Sequence, residues 1–342
     1  NCGCGYCGTD GEVELGEVKM VYILFDTPAD RTKMRVLTKY IQTPFKEIYP
    51  EQKCNSVKSM VKECQKCINN TKDNDTIVCW YDFMGILCWW LCKLKRKKRK
   101  IIVLNILLKK KKTLKNKVVR RLYRIALPSK NLEATVTSKE YGKWINNVLG
   151  INKEYTILHD IYFDNTKNEY QTEIEANSVF CGGRNGRNWK FYFELAASMP
   201  DVTFKCVMPQ NQYEEYKALV SSNVEVKYDI PENEFLEFLN SSQLVVMPLD
   251  TEAPAGLIAL FQAATYGKMV ITTDTVTTRE YFSGDRGVLC KRGIKNWEEL
   301  IRYYLRNIEE VRQKSDNLVR FLKEECSENR YAEILERLIG NE

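Results

Sequence analysis

From residue 20 onward, short β-branched or apolar runs alternate with longer stretches in which apolar residues return every three or four positions. In the first half the runs are Val21–Phe25, Thr76–Tyr81, Ile101–Ile106 and Ala134–Thr137, and these predict strands. Helical spacing predicts helices over Val57–Asn69, Met84–Lys95, Lys117–Ala126 and Lys139–Leu149. The second half is more regular, with strands over Val179–Cys181, Val202–Val207, Val224–Val226, Leu244–Met247 and Lys268–Thr272. Helices over Trp189–Met199, Gln212–Val220, Glu232–Asn240 and Ala255–Tyr266 lie between them. Strands apolar throughout, alternating with helices, predict parallel sheets covered on both faces. From Asn296 onward the chain reads as amphipathic helix in two segments broken near Ser327.

A length of 342 residues exceeds one ordinary core and suits two domains. The polar, weakly patterned Asn165–Asn177 stretch is read as their linker. The organisation expected is a glycine-rich flexible tail over 1–19, an N-terminal domain over 20–160, a C-terminal domain over 161–320 and a closing helix over 321–342. Two doubly wound, Rossmann-like parallel-sheet domains would face each other across a cleft, where such sheets bind ligands beyond the carboxyl ends of their strands.

Charge separates the halves. Residues 1–150 hold 30 Lys and Arg against 14 Asp and Glu, whereas residues 151–342 hold 22 against 31. No carboxylate occurs from Phe83 to Leu132, while fifteen basic residues crowd between Lys93 and Arg121. The longest apolar run, Phe83–Cys92, falls short of the about 18 residues that a spanning helix needs. Just after Trp89 and Trp90 come Lys95, Arg96, Lys97, Lys98 and Arg99, with Lys109–Lys112 further on. Tryptophan beside clustered lysine suits an anionic membrane surface, and these residues are read as membrane-facing. Nucleic-acid phosphate is the competing partner, disfavoured by an acidic second half and the want of a base-stacking signature.

Thirteen cysteines, scattered and mostly within apolar patterns, read as reduced thiols of a cytoplasmic protein. Cys2, Cys4 and Cys7 lack a fourth ligand for a closed zinc site. With one histidine, His159, and no clustered carboxylates, neither a Ser-His-Asp triad nor a His-ligated metal site can be assembled.

Two stretches carry chemistry. Cys181-Gly182-Gly183-Arg184-Asn185-Gly186-Arg187-Asn188-Trp189-Lys190 follows a strand and opens a helix, combining exposed backbone amides with cations suited to phosphate. It is neither the dinucleotide fingerprint nor a Walker loop. Pro248-Leu249-Asp250-Thr251-Glu252-Ala253-Pro254-Ala255-Gly256-Leu257 then leads from a buried strand into an apolar helix whose first amides no large side chain blocks. Taken singly, each stretch is equally well a strand-to-helix turn without a ligand.

In this order and separation, together with Thr272–Tyr281, they resemble the C-terminal domain of family 4 (group 1) glycosyltransferases, which have the GT-B fold. The resemblance covers about residues 176–320. It implies a nucleotide-sugar donor of the UDP or GDP type, retention at the anomeric carbon and no tightly bound metal or cofactor. Arg187 and Lys190, with Arg184 as a further candidate, fall at the basic positions that grip the donor diphosphate. Gly256 and Leu257 fall at the helix start that supplies amides to it. Gln262 stands where the family has the glutamate that binds the ribose, and Glu252 lies near its outer glutamate. Tyr228 is placed either to flank the base or as an ordinary core or surface tyrosine. In the first half, Asp26–Arg31 replaces the family's glycine-rich loop. Asp82, just after a strand, either orients an acceptor hydroxyl as a base or begins the next helix as a cap. The function implied is transfer of a sugar to a lipid-linked or polysaccharide acceptor, from the cytoplasm at the inner membrane face. A non-catalytic GT-B protein that binds membrane or polyanion, and a nucleotide-sugar epimerase, are the alternatives.

Overall fold

The computed structural model of the chain describes residues 19–28, 39–108, 113–163, 172–291 and 293–340. The tail with Cys2, Cys4 and Cys7, the Asp30–Arg31 end of the first loop, Lys109–Lys112 and much of the expected linker lie outside the described residues.

The N-terminal sheet comprises β1 (Val21–Leu24), β2 (Phe45–Ile48), β3 (Thr76–Cys79), β4 (Lys100–Val103), β5 (Leu132–Val136) and β6 (Thr156–Ile157). All pair in parallel in the order β2-β1-β3-β4-β5-β6. Alternate residues face opposite layers, as the pleat requires. Ile77, Cys79, Ile101 and Val103 join one buried cluster, with α1 (Val57–Asn69) and α2 (Asp82–Leu94). Val78 and Ile102 join the other. Both faces are thus apolar, so the strands read as unbroken hydrophobic runs. β2 escaped the sequence pattern because it is an edge strand whose Lys46 and Glu47 break up its apolar positions.

The C-terminal sheet comprises β7 (Ser178–Gly182), β8 (Thr203–Met208), β9 (Val224–Tyr228), β10 (Leu244–Met247), β11 (Val270–Thr273) and β12 (Val288–Cys290). Its order is β12-β11-β10-β7-β8-β9, again parallel. The chain enters in the middle at β7, winds outward to β9, then returns to β10 and winds the other way. Loops leaving β7 and β10 therefore diverge in opposite directions, and a crevice opens between them.

The C-terminal region differs from the two-segment expectation. Three helices are present, α10 (Ile294–Arg306), α11 (Ile308–Glu325) and α12 (Glu328–Gly340). Asn307 makes the additional break: its backbone leaves helical geometry at ψ 64, and its side-chain amide binds the Tyr303 carbonyl at 2.7 Å. α12 then returns to the N-terminal domain, where Tyr331, Leu335 and Leu338 pack with Val21, Ile23, Phe25 and Ile102. The expected boundary at residue 320 thus falls inside α11. Among the described residues no helix is long and apolar enough to cross a membrane. The ten cysteines described are buried and unpaired, and burial pushes the Cys67 thiol up to about 12.

Candidate functional site

The crevice at the β7/β10 switch point brings the two chemistry-bearing stretches together. After β7 the chain turns through Gly183, at φ +121, and Gly186, at φ +74, into α5 (Trp189–Ser198). Asn188 caps that helix by accepting from the Phe191 amide at 3.2 Å. After β10 the loop 248–256 runs beside it. Arg187 bridges Leu249, the Asn188 amide donates to the Pro248 carbonyl at 2.9 Å, and the Asp250 amide donates to Gly186 at 3.0 Å. A β-carbon on Gly186 would lie 2.7 Å from that of Ala255, so the close approach requires glycine.

Arg187 sits at the centre. Its guanidinium folds back on its own loop, with Nε and Nη2 donating to the Gly182 carbonyl at 2.9 and 2.7 Å and Nη1 to Asn185 at 2.6 Å. It occupies the space that a side chain on Gly183 would take, and a β-carbon on Gly256 would lie 3.6 Å from it. Gly256, at φ +83, starts α8 (Leu257–Thr265), so the guanidinium lies over the amino end of that helix. Two carbonyls neutralise no charge, and among the described residues no carboxylate pairs with it. Lost hydration pulls the guanidinium pKa downward. The result is a half-buried, preorganised positive centre without a counterion, facing exposed helix-terminal amides. That combination binds an anion.

A third loop locks the site. The Leu249 amide donates to Thr273 Oγ1 at 2.8 Å, at the end of β11. Glu252 Oε2 accepts from the Val276 amide at 3.0 Å, and its carbonyl accepts from Thr277 Oγ1 at 2.7 Å. Across the cleft, Ser138 Oγ donates to the Val276 carbonyl at 3.2 Å, and Tyr281 Oη to that of Thr137, also at 3.2 Å.

The other expected donor residues are placed as follows. Arg184 is exposed and pairs with Asp229 at 3.2 Å, while Lys190 is exposed and pairs along its helix with Glu194 at 3.8 Å. Arg187 is thus the cation of the three that holds no carboxylate. Leu257 buries its side chain in the core and offers the site only backbone. Gln262 Nε2 donates to Glu232 Oε1 at 3.3 Å, so a carboxylate stands beside this amide. Tyr228 is exposed and stacks on Tyr213 at 5.3 Å. Glu232, Asp229 and Tyr213 were missed because nothing in the spacing links them to the glycine loops. The left-handed backbone of Asp229, at φ +49, is visible only in the structure.

Two expectations are corrected. Asp82 is buried and fully engaged: Oδ2 accepts from Tyr123 Oη at 2.7 Å and from the Leu107 amide at 2.8 Å, and Oδ1 from the Phe83 amide at 2.8 Å. It ties α2 to α3 (Leu114–Ala126) and to the end of β4, on the wall of the cavity that Tyr81, Phe83 and Leu108 also line, and is not the free base expected. The membrane-facing group also divides. Trp89 is buried in the domain core, and Trp90, half-buried, donates to the Leu122 carbonyl at 3.4 Å. Arg99 is buried and bound to Thr71 and Asp73. Their apolar and long-stemmed side chains fill the space between helix and sheet, which sequence adjacency to lysine does not reveal. Lys95, Arg96, Lys97 and Lys98 are exposed, at the amino end of β4, opposite the cleft.

Residues 184–336 match a family model described as glycosyl transferase-like. No curated protein sequence matches the chain. Among solved structures, Anabaena HepE in complex with UDP and glucose superposes with a TM-score of 0.70 at 12% identity, covering 94% of this chain and 99% of that one. Sucrose-phosphate synthase from Thermosynechococcus elongatus gives 0.66 at 11% identity, covering 94% and 98%. A glycine-to-arginine mutant of S. aureus TarM, in complex with fondaparinux, α-GlcNAc-glycerol and UDP, gives 0.61 at 12% identity, covering 83% of this chain and 58% of that one. The architecture is GT-B, and the family match over residues 184–336 supports an enzyme of the glycosyltransferase type.

Proposed function

We propose that this enzyme moves a sugar from a UDP- or GDP-type donor to a hydroxyl of a lipid-linked or polysaccharide acceptor, with retention, from the cytoplasm at the inner membrane face. One observation carries the donor reading: the carboxylate-free Arg187 guanidinium seated over the amino end of α8 at the sheet's switch point. The bond from anomeric carbon to diphosphate breaks as the bond to the acceptor oxygen forms, and the hydroxyl proton leaves with the phosphate or to solvent. Charge grows on the departing diphosphate. Arg187 and the α8 amides meet it without reorganising, which is where fixed donors lower a barrier most. HepE, held with UDP and glucose, supports such a ligand in this frame. The basic, carboxylate-free 83–132 region supports an anionic surface on the acceptor side.

Thermal shift with UDP, GDP and their sugars tests the reading. UDP or GDP at millimolar concentration is expected to raise Tm by several degrees, and Arg187→Ala to abolish that rise. No shift with either nucleotide would overturn the donor assignment. The second reading, a non-catalytic binding protein, draws on Gln262 and its bond to Glu232. It requires nucleotide binding without transfer to any acceptor and without donor hydrolysis.

A further inference from the structure

Helix α3 has two apolar faces, and only one is needed by the fold. Its inner face sets Tyr123 and Ala126 into the N-terminal core, with Val119 and Leu122 packed behind them. Its outer face carries Leu114, Val118 and Ile125, which are 79%, 56% and 42% exposed. At about 100° per residue these three fall within about 40° of arc, with Arg121 at its edge and Lys117 and Arg124 further along the same shoulder. A solvent-facing apolar stripe edged by cations is a surface looking for a partner.

Among the described residues, Lys115, Lys117, Arg121 and Arg124 pair with no carboxylate, and the sequence supplies none from Phe83 to Leu132. Some exposed cations elsewhere are paired, as Arg184 is with Asp229, Lys217 with Glu214 and Arg302 with Asp201. A groove beside the cationic shoulder is lined by Lys117, Arg120, Arg121, Arg124 and Val148, open to phosphate-sized groups. The first turn of the same helix borders a cavity of about 180 Å³ shared with Tyr81, Phe83 and Leu108, at the carboxyl ends of β3 and β4.

We propose that α3 is the surface by which this protein docks on an anionic lipid bilayer. The helix lies in the interface, with Leu114, Val118 and Ile125 among the acyl chains and Lys117, Arg121 and Arg124 on the phosphates. Resting on the acceptor-side reading of the N-terminal domain, this deepens it: the docking surface is α3, and the exposed Lys95–Lys98 group at the far end of β4 is not. A head group held at the bilayer beside the first turn of α3 stands next to the cavity and the cleft. A nucleic-acid backbone would engage the cations and leave the apolar stripe idle.

The test is co-sedimentation of the full chain with phosphatidylcholine vesicles, with and without phosphatidylglycerol, and with single-stranded RNA as competitor. Three variants are compared: Leu114→Ser/Val118→Ser/Ile125→Ser, Lys117→Glu/Arg121→Glu/Arg124→Glu, and Lys95→Glu/Lys97→Glu/Lys98→Glu. Binding is expected only to vesicles containing phosphatidylglycerol. Each α3 variant is expected to lose at least about tenfold in partitioning and the Lys95 variant less than about twofold. The UDP-induced rise in Tm, followed in parallel, reports folding and the donor site. If UDP gives no rise while α3-dependent vesicle binding persists, docking stands and the donor reading falls. Docking is overturned if the α3 variants bind vesicles as wild type does or the Lys95 variant loses as much. It is also overturned if RNA alone binds and the serine variant leaves that binding intact.

Discussion

Arg187 and Asp82 are side chains with opposite surroundings, and their partners decide what each can do. Arg187 meets only carbonyl dipoles, so its charge is left for a ligand. Asp82 accepts from a tyrosine hydroxyl and two backbone amides, so most of its acceptor capacity is taken within the fold. Burial and the neighbouring carboxylate hold the Tyr123 phenol well above its usual range, which keeps it a donor to Asp82. Asp82→Asn weakens these charge-assisted bonds and is expected to lower unfolding free energy by on the order of 2 kcal/mol, read by urea denaturation. Turnover of the folded variant at 25 °C is expected to stay within about threefold of wild type. Unchanged stability with turnover lost a hundredfold would return Asp82 to the role of base.

Gly256 shows how an element's start governs the site. Its φ of +83 is unfavourable for any residue with a β-carbon, and that carbon would sit 2.8 Å from Met247 Sδ. Gly256→Ala is expected to destabilise the protein by about 1–3 kcal/mol and to weaken UDP binding at least tenfold by displacing the first turn of α8. Gly267, past the other end of α8, also has positive φ, +66, but opens onto space. Gly267→Ala therefore separates strain from site geometry: a comparable fall in Tm is expected with UDP affinity kept, and equal losses of affinity would refute the local role of Gly256. Most elements were legible in the sequence because both faces of the central strands are apolar and the longer helices have an apolar inner stripe, as in Ile101–Val103 and Lys139–Leu149. β2, β6 and β12 were not: β2 and β6 are short edge strands with one apolar position in two, and β12 is an edge strand of only three residues. The glycine loops announced the anion site, since glycine marks positive φ and close approach. Partner choice was invisible: which arginine lacks a carboxylate, and whether Trp89 faces outward or inward, depends on residues far apart in sequence.

At the scale of the whole molecule, the domains meet through a polar junction where the chain leaves the first. His159 lies between the Glu325 carbonyl and Glu280, each at 3.2 Å, and Tyr281 donates to the Thr137 carbonyl of the opposite domain. Beneath them Asp160 accepts from Asn105 Nδ2 at 3.4 Å, facing His159, Tyr281, Tyr331 and Cys326. Desolvation pushes its carboxyl up to about 6, against the opposing pull of His159 and the Asn105 hydrogen bond. The folded junction therefore holds the proton more tightly than the unfolded chain, whose carboxyl titrates near 4. The stability contributed by the protonated form is full below about pH 4 and is lost as pH rises through about 6. Asp160→Asn keeps a neutral group there at every pH. It is expected to flatten the dependence of Tm on pH between 4 and 7 and to stabilise the protein at pH 7.5 by on the order of 2 kcal/mol. A variant less stable than wild type at pH 7.5, with the pH profile unchanged, would show that the ionised carboxylate instead fastens the domains together, through His159.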